Sequence, residues 1–305
     1  MYNFKYTFKR FPKWTDTTDG MEIIEGDLRN RHVRTMNDVT YAVKDGKELH
    51  LRFFFPEDID EEKKYPCILH VKGSGWAEQN LNGRAGDFYP LIMEGFGVCI
   101  IEYRPADLAK FPAQVLDAKT AIRYLSEHIE EYPIDPENLF LSGDSSGGHT
   151  AILAYLSWNE ELFEEDEETT PLPKIRGLLD FYGVTNLYDL THRETGLSVE
   201  DNYSLTEYLF PLPIEEHPEQ YAEANVSCYI DLREELEPAL ILHGNKDRLV
   251  PLSQSIAFYR DLKERGTEAE LVMIDNADHG GPVFYCEATM HRILRFLKKN
   301  TRRTA

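Results

Sequence analysis

Gly143-Asp144-Ser145-Ser146-Gly147 fits the pattern G-x-S-x-G and lies between two apolar runs, 138–142 and 149–157. A serine on a sharp strand-to-helix turn has a strained backbone. It needs small residues two places before and two after it, because those positions pack closely on neighbouring main chain. Gly143 and Gly147 meet that need for Ser145, whereas Ser146 has Asp144 two places before it and fits less well. The pattern is short, and an ordinary Gly-rich turn is the plain alternative; the flanking strand and helix favour a nucleophile. The chemistry would be nucleophilic acyl transfer. Serine attacks poorly at neutral pH unless a base takes its proton and a third group orients that base.

Two later residues suit those roles. Asp247 follows the apolar run PALILH in HGNKDRLVP, and His279 follows AELVMI in DNADHGG. Both fall just past the carboxyl ends of predicted strands, where ligand sites of open α/β sheets gather. His70 and His243 sit within or at the end of apolar strands and read as core or supporting residues. His149 opens the helix after Ser145 and reads as packing. Asp275 and Asp278 compete with Asp247 for the acid role, but they stand so near His279 in sequence that folding back onto its Nδ1 is awkward. The tetrahedral oxyanion also needs fixed donors, and backbone N–H groups serve best. The turn Lys72-Gly73-Ser74-Gly75-Trp76 brings backbone close to a substrate. Ser74, Gly75 and Ser146 are the predicted oxyanion-hole donors. A phosphate cradle is the competing reading, but the spacing G-x-x-x-x-G-K-[ST] is missing.

These residues need a scaffold. VTYAV and ELHLRFFF, joined through Lys44-Asp45-Gly46-Lys47, predict a β-hairpin. From residue 66, short apolar runs (67–71, 97–103, 138–142, 174–183, 238–244, 269–275) alternate with helical segments. The spacing predicts helices at 87–95, 113–131, 149–157, 253–265 and 283–299. This alternation predicts an α/β fold with a mostly parallel central sheet and helices on both faces. Residues 1–36 read as an N-terminal arm, residues 37–305 as the main domain, and residues 184–236 as a cap insertion within it. Trp76, Tyr188 and Tyr208 are candidate substrate-binding walls, with Tyr203, Phe210 and Tyr221 beside them in the insertion.

Composition sets the outer bounds. Lys and Arg number 33 against 54 Asp and Glu, a formal charge of −21. That balance argues against nucleic acid and anionic membranes as partners. No apolar run approaches the ~18 residues that cross a bilayer. The first residues lack a signal-peptide core, so a cytoplasmic location is the expectation. The four cysteines are scattered, three of them in or next to apolar runs, and read as buried thiols rather than metal ligands. Seven acids crowd residues 160–168 and five crowd residues 57–62, in predicted loops away from the triad. The aromatic arm is a candidate homodimer surface.

With these residues placed, the chain resembles an α/β-hydrolase fold esterase/lipase of the hormone-sensitive-lipase-like and feruloyl- or acetyl-xylan-esterase-like branch. The resemblance rests on LHVKGSGW, IEYRPADLAKFPAQVLDAKTAIRYL, IDPENLFLSGDSSGGH, LDFYG, LILHGNKDRLVP and the late DHGG, in that order over about residues 38–300. It implies hydrolysis of a small-molecule carboxylic ester through an acyl-enzyme on Ser145, Asp247 and His279, with no metal or organic cofactor. Small soluble esters, acetylated sugars among them, are the implied substrates. The branch usually carries His-Gly-Gly-Gly at the oxyanion loop. Here Lys72 replaces the His that braces the loop, and Ser74 replaces a Gly. Two other readings share the fold: a kynurenine-formamidase-like amidase, and a non-catalytic ligand-binding protein.

Overall fold

The computed structural model describes residues 10–26, 32–57, 62–83, 85–165, 170–191, 206–210, 212 and 216–302. Asp45 and Gly46 both adopt positive φ, 51° and 77°, the conformation a two-residue hairpin turn requires. They join β1 (His32–Lys44) to β2 (Lys47–Glu57), with Lys44 opposite Lys47. β1 therefore starts inside the stretch read from sequence as an arm.

Six further strands follow: β3 (Tyr65–Val71), β4 (Gly97–Ile101), β5 (Ile134–Asp144), β6 (Ile175–Phe181), β7 (Ala239–Gly244) and β8 (Ala269–Ile274). All eight form one sheet in the order β1-β2-β4-β3-β5-β6-β7-β8. β1, β2 and β4 pair antiparallel, and every pair from β4 to β8 is parallel. The mostly parallel sheet expected from the alternation is present.

The apolar runs are continuous because both faces of the sheet are covered, and alternate side chains enter different cores. Leu51, Phe53, Phe55, Cys67, Leu69, Leu139, Leu141 and Ile241 enter one core. Their neighbours Phe54, Ile68, Phe140, Leu240 and Leu242 enter the other. The first core is covered by α2 (Ala113–Glu127), α3 (Ser146–Leu156) and the helix Leu252–Glu264. The second is covered by α1 (Tyr89–Met93) and the helix Glu287–Asn300. In α2 the buried Val115, Ala118, Ala121, Ile122 and Leu125 recur at helical spacing. Every residue of α3 is buried, which explains its apolar sequence on all sides. The predicted last helix splits: a short turn at Pro282–Tyr285 precedes the helix proper.

A third, smaller core joins the insertion to the oxyanion loop. It contains Trp76, Ala106, Val184, Leu187, Leu190, Leu209, Phe210, Tyr221, Ala224 and Val250. Phe210 and Tyr221 pack here against each other, their ring centroids 4.6 Å apart. Tyr203 and the acidic residues at 58–61 and 166–168 lie outside the described residues. Among the described residues, no helix is long and apolar enough to cross a membrane.

Candidate active site

β5 runs directly into α3, and the chain turns at Ser145 with φ 54° and ψ −123°. That is a strained conformation for a residue with a side chain. Bonds on both sides hold it: Ser145 N–H donates to Phe181 O at 2.9 Å, and His149 N–H donates to Ser145 O at 3.0 Å. The flanking glycines have no room for a Cβ. One on Gly143 would stand 2.3 Å from Gly147 O, and one on Gly147 would stand 2.2 Å from Val71 O. The small-residue requirement read from sequence is thus a close approach of three backbone segments.

The loops after β7 and β8 bring the other two groups to this turn. His279 Nε2 is 2.8 Å from Ser145 Oγ, and His279 Nδ1 is 2.8 Å from Asp247 Oδ2. The carboxylate can only accept, so Nδ1 carries the proton and Nε2 is free to accept from the serine. Asp247 has a fully buried side chain. Its Oδ1 accepts the N–H groups of Leu249 and Val250, both at 2.8 Å, and its Oδ2 lies 3.2 Å from His243 Nε2. Burial alone would raise its pKa, but hydrogen bonds from His243 and His279 outweigh that and hold it well below the usual carboxylate range. Asp247 is therefore ionised and fixed at both oxygens.

The rejected acids have other work. Asp278 Oδ1 accepts from Arg248 N–H at 3.0 Å and from His279 N–H at 2.8 Å, while Oδ2 pairs with Arg248 Nε at 2.7 Å. The Arg248 guanidinium brings its pKa down to about 2. Asp278 thus clips the Asp247 loop to the His279 loop. Asp275 accepts from Asn245 and Asn276. Tyr182, with φ 44°, packs edge-on against His279 at 4.6 Å between ring centroids. No local pattern in LDFYG announces that contact.

The oxyanion loop needs one correction. Ser74 N–H donates to Ser146 Oγ at 2.9 Å, so it is committed to bracing rather than free for a substrate oxygen. Among the described residues, the N–H groups of Gly75 and Ser146 take no protein acceptor, and they remain as donors. The Ser74 hydroxyl, at a place where the resemblance implies a Gly, donates to Ala77 O at 2.6 Å and meets the fully buried Tyr103 OH at 3.2 Å. Tyr103 OH also lies 3.2 Å from Ser146 Oγ. These hydroxyls bind the loop to the start of α3.

A cavity of about 350 Å³ opens beside Ser145. Its apolar wall comes from Trp76, Tyr182, Val184, Leu190, Leu249 and Val250. Trp76 lies where expected, but Tyr188 and Tyr208 do not line it. In the short helix Leu187–Thr191, the buried Leu187 and Leu190 are three residues apart and share a face, which leaves Tyr188 turned outward and half exposed. Tyr208 packs outside the cavity, with Lys110 Nζ 5.6 Å from its ring centroid. Among the described residues, no three His, Cys, Asp or Glu side chains gather as metal ligands would.

A family model described as BD-FAE matches residues 52–262. Esterase LipQ of Mycobacterium tuberculosis is 28% identical over 254 residues, covering 82% of this chain and 58% of that protein. Esterase LipC of the same organism is 25% identical over 223 residues, covering 72% and 53% respectively. The chain thus spans just over half the length of these relatives. A solved structure of a truncated carbohydrate esterase from gut microbiota superposes with a TM-score of 0.74 at 22% identity, covering 88% of this chain and 96% of that one. The architecture is the α/β-hydrolase fold.

Proposed function

The chain belongs to the BD-FAE family, and on that premise we propose that it hydrolyses carboxylic esters through an acyl-enzyme on Ser145. The observation that carries this reading is the unbroken line Asp247–His279–Ser145, with 2.8 Å at each link. Ser145 Oγ attacks the ester carbonyl as its proton passes to His279 Nε2. Asp247 holds the imidazole by Nδ1–H and stabilises the positive charge that forms. The N–H groups of Gly75 and Ser146 receive the oxyanion. The intermediate collapses by breaking the carbonyl–oxygen bond of the alcohol, which leaves with the proton from His279. Water then repeats the sequence on the acyl-enzyme, releasing the acid and restoring Ser145. The names of the relatives LipQ and LipC agree with this chemistry.

The substrates are small soluble esters, with acetylated sugars among them. The cavity, about 350 Å³ with one apolar wall, is at the small end of ligand pockets, which run from ~300 to ~1,000 Å³. The test is a panel of p-nitrophenyl esters from two to twelve carbons, acetylated sugars and N-formylkynurenine, with wild type and Ser145→Ala. Wild type should turn over the short esters and label with a fluorophosphonate, and Ser145→Ala should do neither. Near-wild-type turnover by Ser145→Ala rejects the nucleophile. Preference for the formamide over every ester would make the protein an amidase.

A further inference from the structure

Three segments distant in sequence meet at one buried imidazole behind the cavity. His149 lies in the first turn of α3 and is 1% exposed. Its Nε2 is 2.7 Å from Ala224 O in the insertion, and its Nδ1 is 3.3 Å from Trp76 Nε1 in the oxyanion loop. A carbonyl oxygen only accepts and an indole N–H only donates. The ring must therefore be neutral, with its proton on Nε2, and each nitrogen has one permitted partner. Burial drives its pKa down to about 4, which keeps it in that form at neutral pH.

Both attachments lie where the site needs them. Trp76 follows Gly75, the oxyanion donor, and both hold positive φ, 59° and 64°. Trp76 can hold such a backbone only where its surroundings fix it. Ala106 N–H fixes its carbonyl at 2.8 Å, and His149 fixes its indole. The indole stands perpendicular to the imidazole, with 5.4 Å between centroids. Ala224 shares the third core with Trp76, Leu190 and Val250, which line the cavity.

We propose that His149 is a positioning residue that fastens the oxyanion loop through Trp76 and the cap insertion through Ala224, coupling the position of the Gly75 donor to closure of the cavity wall. The proposal rests on the ester-hydrolase reading above. It separates into two halves, because side-chain amides imitate one ring nitrogen each. The Asn oxygen falls near Nδ1 and keeps the acceptor for Trp76; the Gln nitrogen falls near Nε2 and keeps the donor for Ala224.

The experiment measures kcat and KM on p-nitrophenyl acetate and butyrate for wild type, His149→Asn, His149→Gln, Trp76→Phe and the double variant Trp76→Phe/His149→Gln. Removing an oxyanion donor outright costs 10²- to 10³-fold, so loosening one should lower kcat about tenfold in His149→Gln, with KM within about twofold. His149→Asn should recover kcat to within about threefold of wild type and raise KM several-fold. Trp76→Phe should reproduce His149→Gln, and the double variant should lose no more than either single, since all three break one bond. Wild-type behaviour in both His149 variants, or additive losses in the double variant, overturns the proposal. If the His149 variants do not fold, Trp76→Phe decides: a fall in kcat alone supports the proposal, and unchanged kcat overturns it. A wild type without turnover or fluorophosphonate labelling overturns the ester reading and the proposal together. An active wild type leaves the variants to judge His149 alone.

Discussion

Lys72 Nζ lies 2.9 Å from Asp144 Oδ2 and 3.1 Å from its Oδ1, joining the oxyanion loop to the residue before the nucleophile. Gly73 N–H and His70 Nε2 reach the same Oδ1, at 2.7 Å and 3.1 Å. Burial would raise the Asp144 pKa, but His70 and Lys72 together hold it far below the ordinary carboxylate range. Lys72 also donates to Gly73 O at 3.1 Å. Its charge is committed to bracing the loop, the role that the resemblance assigns to a His at this place. The substitution of Lys for His therefore changes the brace and leaves the loop anchored.

Lys72→Met should expose that role. Asp144 would keep His70 and the Gly73 N–H, so the fold should survive with a loss of about 1–3 kcal/mol. The loop would lose its cation, and kcat should fall about tenfold with less change in KM. Urea unfolding at neutral pH and steady-state kinetics on p-nitrophenyl acetate measure both. Unchanged kcat would remove Lys72 from the oxyanion machinery.

Asp247→Asn should act on turnover and on acid stability. An amide nitrogen facing His279 Nδ1 favours the wrong tautomer, so kcat should fall about 10⁴-fold. The Asp247 carboxyl is depressed in the fold. Its contribution to stability is therefore present above the unfolded value, ~3.9, and is lost as pH falls toward the folded value. The variant should be less stable than wild type at neutral pH, and the gap should narrow as pH falls from about 5 to about 2. A gap that does not change with pH contradicts the assignment.

Asp180 runs in the opposite direction. It is fully buried in β6; its Oδ1 accepts from Gly183 N–H at 3.0 Å, and its Oδ2 has no partner among the described residues. Burial pushes its pKa up to about 7 against the pull of His243. The unfolded chain ionises this group above ~3.9, so stability is lost as pH rises from there toward about 7. Asp180→Asn should gain about 4 kcal/mol relative to wild type between pH ~4 and pH ~8, the linkage equivalent of a carboxyl raised from ~3.9 to about 7. Paired urea unfolding curves at the two pH values measure it, and an equal difference at both would show that Asp180 is not held protonated by burial.

The fold, and the positions of Ser145, Asp247 and His279 that the structure brings together, were legible because they follow from local rules. The period of the apolar runs marked the strands and helices. Gly143 and Gly147 marked the turn, since a Cβ at either would strike main chain. Asp247 and His279 were found by their place after strands β7 and β8. The buried face of Leu187 and Leu190 was also open to helix periodicity, and applying it would have turned Tyr188 outward. Other features hang on partners remote in sequence. Ser74 and Ser146 are 72 residues apart, so the commitment of the Ser74 N–H had no local sign. His149 and Ala224 are 75 apart, and packing alone was the natural reading of that histidine. Asp278 competes for the acid role on proximity, and only the convergence of two loops shows that it pairs with Arg248. By itself, then, the sequence determined where chain direction changes and which residues stand at strand ends, because backbone sterics and hydrophobic periodicity act over a few residues. Only the tertiary structure decided which donors remain free and which charges are cancelled, because each hydrogen-bonding group is claimed by whatever polar atom folding brings within about 3 Å.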